Sequence, residues 1–81
     1  MNRFSVRLFA RYAELFATDQ LDVELPAPTT VGAMISALRA RPGGSALPTT
    51  LLVAVNLRQA TEQTVITPAD EIALLPPMAG G

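Results

Sequence analysis

The chain has 81 residues, of which 49% are hydrophobic and 16% are charged, and its formal net charge is −1. This length corresponds to one domain, and the high apolar content with a low net charge excludes an intrinsically disordered chain. Because cysteine and histidine are both absent, disulfides, thiol or imidazole catalysis and the usual zinc sites are excluded as well.

Two segments near the N-terminus alternate between apolar and polar side chains, a pattern typical of half-buried strands. The first is Arg3–Phe9, in which Phe9 falls on the polar parity, and the second is Gln20–Leu25. Between them, residues 11–17 predict a short helical turn that the Thr18-Asp19 turn closes. We expect the two strands to pair as a hairpin.

An amphipathic helix is predicted from Val31 onward, because apolar residues recur there at the i+3, i+4 and i+7 positions. The Thr29-Thr30 pair supplies candidate N-cap hydroxyls, and Pro42-Gly43-Gly44 ends the helix. Arg39 and Arg41 are expected in the last turn, where a positive charge is favourable against the helix dipole.

The C-terminal half predicts the remaining strands. The continuous apolar run Leu51–Val55 predicts a strand buried on both faces, and Asn56 begins a turn. Thr61–Ile66 predicts a short edge strand, Thr67–Asp70 a turn, and Glu71–Leu75 the last strand. The order β-β-α-β-(β)-β predicts an α+β domain in two layers, with a mixed four- to five-stranded sheet packed on one main helix.

Two large apolar side chains fall on the outward parity of their strands. Phe9 shares the parity of the polar residues of the first strand, and Leu75 has the opposite parity to Ile72 and Leu74. If the two strands are neighbours, Phe9 and Leu75 form an exposed apolar patch. Such a patch indicates an interface, although side chains at twisted strand ends can also fold over the edge of a sheet.

The last strand runs into Pro76-Pro77, and the chain ends in Gly80-Gly81. The prolines cannot donate ladder hydrogen bonds, so the strand ends there. A tail that ends in two glycines is thin and adopts backbone angles closed to other residues, so it could enter a channel that rejects side chains. The alternative is an ordinary frayed terminus, because the Gly43-Gly44 pair also stands in a predicted loop.

A C-terminal carboxylate on Gly81 would need activation before any nucleophile could attack it, because a free α-carboxyl is an anion at neutral pH. Adenylation by ATP would supply a leaving group, and a sulfur nucleophile could then form a thiocarboxylate. The sequence contains no glycine-rich phosphate-binding loop. We therefore expect this chain to bind no cofactor and no metal, and a separate activating enzyme to use ATP in trans.

The other charged residues indicate little chemistry. The carboxylates are scattered, which is typical of a solvated surface, although Asp70 and Glu71 could pair with arginines of a partner. The six basic residues, all arginines, form no stripe, so no nucleic-acid partner is expected. No apolar run approaches the length of a membrane span, and the N-terminus is unlike a signal peptide, so we expect a cytoplasmic protein without a membrane partner.

Three segments resemble the small, sulfur-carrying subunit of molybdopterin synthase. They are Leu8-Phe9-Ala10 with Glu14-Leu15, then Ala54-Val55-Asn56, and finally the stretch Asp70–Gly81 with the sequence DEIALLPPMAGG. The most specific feature is an Asp-Glu-hydrophobic strand that runs into Pro-Pro, two residues and a final Gly-Gly. The chain departs from the family pattern at Ala13, where the family often has Arg, and at Pro68-Ala69, where it commonly has Asp-Gly.

The resemblance implies a ubiquitin-like β-grasp fold, with residues 1–76 as the domain and residues 77–81 as a flexible C-terminal tail. Gly81 would be adenylated and then converted to a thiocarboxylate. The tail would insert into a pocket of the large synthase subunit and donate sulfur to a cyclic pyranopterin monophosphate. The residues expected to enter that pocket are Pro77, Met78, Ala79 and Gly80, and those expected to contact the partners are Phe9, Leu75 and Pro76.

The implied partners are the large synthase subunit, an E1-like adenylating enzyme and a sulfurtransferase, with two large and two small subunits in a heterotetramer. The chain would be a non-catalytic, sulfur-donating subunit and no enzyme on its own. One alternative is a carrier that delivers sulfur for thiamine, cysteine or tRNA thiolation. Another is a ubiquitin-like module that binds or modifies proteins, although the lack of lysine excludes chains of itself through side-chain amides.

Overall fold

The computed structural model describes residues 1–76. A short 3₁₀ turn, Gly44–Ala46, separates the main helix from the C-terminal strands. In chain order the helices and strands are β1 (Asn2–Leu8), α1 (Arg11–Phe16), β2 (Gln20–Leu25), β3 (Thr29–Thr30), α2 (Val31–Arg39), β4 (Leu52–Val55), β5 (Arg58–Ala60), β6 (Val65–Ile66) and β7 (Ile72–Leu75).

Five of the strands form one mixed sheet in the order β2-β1-β7-β4-β5. β1 pairs antiparallel with β2, as predicted for the first hairpin, and parallel with β7. β4 is antiparallel to both of its neighbours, β7 and β5. The short strands β3 and β6 form a separate antiparallel pair. The predicted mixed sheet with one main helix is therefore confirmed.

The core lies between the inner face of the sheet and α2. Alternate residues of β1 and β7 point into it, and they meet there the apolar stripe of α2 that the sequence predicts. Each such side chain, once fully buried, contributes roughly 1.5–3 kcal/mol of transfer free energy. The buried residues of these three elements are Phe4, Val6, Leu8, Val31, Met34, Ile35, Leu38, Ile72 and Leu74.

The predicted N-cap of α2 is confirmed, but the helix ends earlier than predicted. The hydroxyl of Thr30 accepts a hydrogen bond from the backbone N–H of Ala33 at 3.2 Å. The helix ends at Arg39, so the prediction that Arg41 lies in the last turn was wrong. The Arg41 guanidinium donates instead to the carbonyl oxygen of Asp22 at 2.7 Å. It thereby pairs a backbone acceptor on the edge strand β2, which would otherwise be open to another strand.

The predicted edge strand Thr61–Ile66 was wrong as a single element. Its last two residues form β6, which pairs with β3, whereas the edge of the main sheet is β5. Val55 pairs with Arg58, so the chain reverses through the two residues Asn56 and Leu57. Backbone pairing across this tight turn defines β5, and its short sequence carries no apolar–polar alternation that could have predicted it.

β4 is buried on one face only, which corrects the prediction of a strand buried on both. Val53 points into the core and is 2% exposed. Leu52 and Ala54 point to the outer face of the sheet and are half-buried. A continuous apolar run is typical of a strand covered on both sides, so the apolar residues on this outer face call for a different explanation.

Candidate functional site

β7 brings the C-terminal segment out from the centre of the sheet, between β1 and β4. The strand ends at Leu75 and the half-buried Pro76 follows. The predicted reactive residue, Gly81, lies outside the described residues, and so do the predicted flexible tail of residues 77–81 and its insertion residues Pro77, Met78, Ala79 and Gly80. Their roles stay predictions, whereas the surface from which this segment starts is described.

Phe9 and Leu75 are exposed beside the start of this segment. The last registered pair of the parallel strands β1 and β7 is Leu8 with Leu74, and both of these residues are buried. The next residue on each chain points to the outer face, where Phe9 is 42% and Leu75 is 36% exposed. The predicted exposed apolar patch is therefore present. Partner binding by Phe9, Leu75 and Pro76 stays a prediction.

Phe9 stays outside because the chain turns sharply at Ala10. This residue has φ 53° and ψ −128°, a backbone conformation that favours glycine. The carbonyl of Phe9 accepts a hydrogen bond from the backbone N–H of Tyr12 at 3.1 Å, which starts α1. Tyr12 is only 1% exposed. The turn thus places two nearby aromatic side chains on opposite sides of the backbone, one in the core and one in solvent.

A shallow groove crosses the outer face of the sheet next to Phe9, and we call it the outer groove. Its cavity volume is about 250 Å³, and its lining residues are Arg7, Phe9, Ala54, Leu57, Glu71 and Ala73. Short side chains form its floor, because Ala54 pairs with Ala73 at the middle of the sheet. Ala54 and Leu57 were not predicted as surface residues from the sequence, although the unbroken apolar run through β4 was a signal that its outer face is apolar too.

Leu57 lies at one end of the outer groove, in the turn between β4 and β5. It is 90% exposed. Asn56 and Leu57 have φ values of 53° and 69°, the pair of positive φ angles of a type I′ hairpin turn, for which Asn-Gly is strongly preferred. The sequence therefore has leucine where this turn favours glycine.

The Asp70 side chain bonds to both the Thr67–Asp70 turn and the turn that begins at Asn56. Its carboxylate accepts hydrogen bonds from Nδ2 of Asn56 at 2.9 Å and from the backbone N–H of Thr67 at 2.8 Å. These two bonds lower the pKa of Asp70 below its ordinary value. The predicted turn is confirmed by the bond from the Asp70 N–H to the Thr67 carbonyl at 3.0 Å.

Asn56 also holds the start of β7. Its Oδ1 accepts from the backbone N–H of Glu71 at 2.9 Å, and its own N–H donates to the Glu71 carbonyl at 2.7 Å. Two of the segments that carry the family resemblance, around Asn56 and around Asp70, thus meet in one hydrogen-bonded cluster. Both Asp70 oxygens are engaged there. Of the two acidic residues predicted to pair with a partner arginine, Glu71 is the one exposed at the outer groove.

A larger cavity, of about 490 Å³, lies beside α1. It is lined by Arg11, Tyr12, Glu14, Leu15, Ala46 and Pro48. Among residues 1–76 no cluster of three or more acidic, histidine or cysteine side chains could hold a metal ion. None of the helices in the same range is long and apolar enough to cross a membrane.

Comparison with known families and structures gives consistent matches. The model of the ThiS family matches residues 6–81. This chain is similar to SAMP1, the small archaeal modifier protein 1 of Haloferax volcanii, with 28% sequence identity and a TM-score of 0.82. The match covers 99% of this chain and 100% of the SAMP1 chain.

Two further solved structures share the fold. Molybdopterin converting factor subunit 1 from Pyrococcus furiosus is 22% identical with a TM-score of 0.84, and the match covers 96% of this chain and 100% of that one. A chain from the complex of subunits 1 and 2 of the molybdopterin-converting factor of Helicobacter pylori is 20% identical with a TM-score of 0.69, over 98% of this chain and 99% of that one. Together the matches confirm the predicted β-grasp fold.

Proposed function

Because the chain belongs to the ThiS family of ubiquitin-like sulfur carriers, we propose that it carries sulfur as a thiocarboxylate on Gly81 for the synthesis of molybdopterin. In this role the globular domain is a handle that partner proteins recognise, and the C-terminal carbonyl is the reactive group. The chain itself catalyses nothing. It acts in the cytoplasm as the sulfur-donating subunit of a larger synthase.

The proposed chemistry has two steps. An E1-like enzyme transfers AMP from ATP to the Gly81 carboxylate, which releases pyrophosphate and leaves an acyl adenylate. Hydrosulfide, delivered at the sulfide oxidation level by a sulfurtransferase, then attacks the carbonyl carbon and expels AMP with one of the original carboxylate oxygens, which leaves the thiocarboxylate. ATP is bound by the activating enzyme, and this chain contributes only the substrate carboxylate.

Sulfur donation follows in the large subunit. The end of the tail is narrow enough to enter a confined pocket, because Gly80 and Gly81 have no side chain and Ala79 has only a methyl group. Pro77 and Met78 are the residues proposed to follow it into that pocket. The thiocarboxylate sulfur attacks a carbon of the cyclic pyranopterin monophosphate, and the C–O bond at that carbon breaks so that the oxygen departs. Two loaded chains each make one such transfer to supply the two sulfurs of the dithiolene. Water then attacks the former Gly81 carbonyl, so that sulfur stays on the pterin and the carboxylate is regenerated for another cycle.

The observation that carries this proposal is the extent of the family match, which runs from residue 6 to residue 81 and so includes the Gly80-Gly81 end. The exposed patch of Phe9 and Leu75 supports it, because a carrier that hands over its C-terminus needs a docking surface beside that terminus. The Helicobacter pylori complex, in which a similar chain is found with subunit 2 of the molybdopterin-converting factor, supports a complex with a large subunit. The heterotetramer of two large and two small subunits is the assembly that we propose for it.

One other function is favoured by a specific observation. The 28% identity to SAMP1, which is a small archaeal modifier protein, supports attachment of this chain through Gly81 to amines of other proteins. The adenylation step would be the same, with a lysine amine in place of sulfur as the nucleophile. A carrier for thiamine, cysteine or tRNA thiolation would share the first two steps and differ only in the acceptor.

Reconstituted transfer separates these functions. The chain is loaded with its adenylating enzyme, ATP and a sulfur source, and the large synthase subunit and the pyranopterin precursor are then added. We expect the dithiolene product and the return of the chain to its unloaded mass. A loaded chain that keeps its sulfur in the presence of both additions would contradict the molybdopterin function, and a covalent adduct with other proteins would indicate a modifier.

A further inference from the structure

The C-terminal segment leaves the sheet between two segments that line one cavity. β7 lies between β1 and β4. β1 is parallel to β7, so the chain that follows β1 enters α1 at the end of the sheet where β7 ends. β4 is antiparallel to β7, and its first residue Leu52 pairs with Leu75, so the segment that leads into β4 lies at this end too. These two flanking segments line the cavity of about 490 Å³ beside α1, which we call the α1 cavity.

The lining of the α1 cavity combines apolar, cationic and hydrogen-bonding groups. Leu15, Ala46 and Pro48 supply apolar contact surface, and the guanidinium of Arg11 supplies a positive charge. Tyr12 also lines the cavity, and its buried hydroxyl has no hydrogen-bond partner within the described part of the chain. Since buried polar groups almost always have a partner, this hydroxyl is a candidate donor to an oxygen atom that enters the cavity. Such a lining fits a short peptide segment that carries an apolar side chain and ends in a carboxylate.

We propose that the α1 cavity binds residues 77–81 of this same chain when no partner holds them. The Gly81 carboxylate faces Arg11, and the Met78 side chain lies against the apolar part of the lining. Glu14, the acidic residue of the lining, accepts hydrogen bonds from backbone N–H groups of the segment. This inference rests on the proposed function, because that function makes Gly81 the free end of the carrier.

The length of the C-terminal segment is sufficient for this binding. Six residues follow Leu75, and six residues span at most about 21 Å when fully extended. Arg11 lies three residues after β1, and Pro48 lies four residues before β4. Because neighbouring strands are about 4.8 Å apart, each of these two residues lies within about 20 Å of Leu75. The segment can therefore reach both walls of the α1 cavity.

The contact is weak enough to be reversible. Arg11 is exposed, and an ion pair at an exposed arginine contributes little free energy. Residues 77–81 consequently exchange between the α1 cavity and solvent, and each partner competes with the cavity for them. A carboxylate and a thiocarboxylate carry the same charge, so the loaded and unloaded chains bind alike. The α1 cavity thus holds the end of the carrier between one partner and the next.

The test is nuclear magnetic resonance of the full chain with labelled methyl groups. The wild type should show nuclear Overhauser contacts between the methyl groups of Met78 and Leu15. Arg11→Glu replaces attraction of the Gly81 carboxylate by repulsion, so these contacts should weaken about threefold or more. Arg58→Glu is the matched control, because it makes the same change of charge at an exposed position on β5, which pairs with the opposite end of β4. We expect the contacts to be unchanged in this control.

A second variant tests the other wall of the α1 cavity. Ala46 is exposed, so Ala46→Asp adds a negative charge to the lining with little effect on the core. The contacts between Met78 and Leu15 should weaken in this variant as well, because the added charge repels the Gly81 carboxylate. Circular dichroism spectra of all the variants should match that of the wild type.

The possible outcomes separate this assignment from the proposed function. If the wild type shows no contacts between Met78 and Leu15, or if Arg11→Glu and Ala46→Asp leave them equally strong, the assignment is wrong and the proposed function stands. If the contacts join differently labelled chains in a mixed sample, the occupant is the end of a second copy and the assignment is again wrong. If the contacts weaken as expected but the chain accepts no sulfur, the assignment stands and the proposed function fails.

Discussion

Phe9 directly follows β1 and Leu75 is the last residue of the neighbouring parallel strand β7, so each stands one residue beyond the buried pair of Leu8 and Leu74. Both side chains consequently point away from the core at the end of the sheet from which the C-terminal segment departs. Phe9 and Leu75 therefore present apolar surface to water at this end of the sheet in the free protein. Under the proposed function, we expect a partner to cover this surface.

Phe9→Arg should weaken binding to the large synthase subunit about tenfold or more, because it places a charge at the centre of an apolar contact. The unfolding free energy should change by less than about 1 kcal/mol, since the site is largely outside the core. Val65→Arg is the matched control, because Val65 is 59% exposed on β6, outside the main sheet. Equal affinities for the wild type and Phe9→Arg would remove the patch from the interface.

Deletion of Gly81 should abolish sulfur loading and leave the fold unchanged. The described core is formed entirely by residues before Pro76, so we expect the same far-UV circular dichroism spectrum and the same unfolding midpoint. Loading is followed by intact-mass analysis with the adenylating enzyme, ATP and a sulfur source. A cooperative loss of folding in the deletion variant would show that the C-terminal residue is part of the domain after all.

Thr30→Ala should destabilise the protein by about 1 kcal/mol, because it removes the side-chain acceptor of the Ala33 N–H at the start of α2. Thr30→Ser keeps the hydroxyl and should lose much less. Urea unfolding of the three proteins gives the comparison. Similar losses for both variants would mean that the methyl group of Thr30 and the β3 strand, rather than the cap, set the stability at this position.

Asp70→Asn should lower stability at neutral pH, by roughly 0.5 kcal/mol at this largely exposed site. Asparagine has one acceptor oxygen where the carboxylate has two, so it cannot accept from both the Thr67 N–H and Nδ2 of Asn56. Because the folded state has a lowered Asp70 pKa, the ionised carboxylate contributes stability above its ordinary pKa of about 3.9. That contribution is lost as the pH falls through the lower, folded-state pKa.

The stability difference between wild type and Asp70→Asn should therefore be full at pH 7 and shrink as the pH falls below about 4. Denaturant unfolding at a series of pH values measures it. A difference that stays constant over the acidic range would mean that the hydrogen bonds around Asp70 do not depend on its charge.

The elements that could be predicted from the sequence are those whose apolar residues repeat with the period of a strand or a helix and are buried on one face. β1, β2 and α2 each bury one regular apolar face, so their positions and the pairing of the first two strands follow from the pattern. β5 could not be found in this way, because its residues Arg58–Ala60 are exposed or half-buried and depend on pairing with β4. The C-terminal limit of α2 was missed because Arg41 bonds to the neighbouring strand and not to its own helix.

The candidate site was predictable in part. The parity of Phe9 and Leu75 indicated their exposure, and the structure confirms it. Leu57 was not predictable, because a turn with two positive φ angles is expected from Asn-Gly and not from Asn-Leu. The prediction that β4 is buried on both faces was wrong. A continuous apolar run is expected both for a strand that its own fold covers on two sides and for a strand whose outer face is apolar but uncovered. Hydropathy alone cannot separate these two cases.

The most direct measurement is the intact mass of the chain after incubation with its adenylating enzyme, ATP and a sulfur source, followed by fragmentation of the C-terminal peptide. The account predicts a mass gain equal to the replacement of one oxygen by one sulfur, located on Gly81, and no gain when ATP is omitted. An unchanged mass under conditions in which the enzyme consumes ATP, or sulfur located on any other residue, would contradict it.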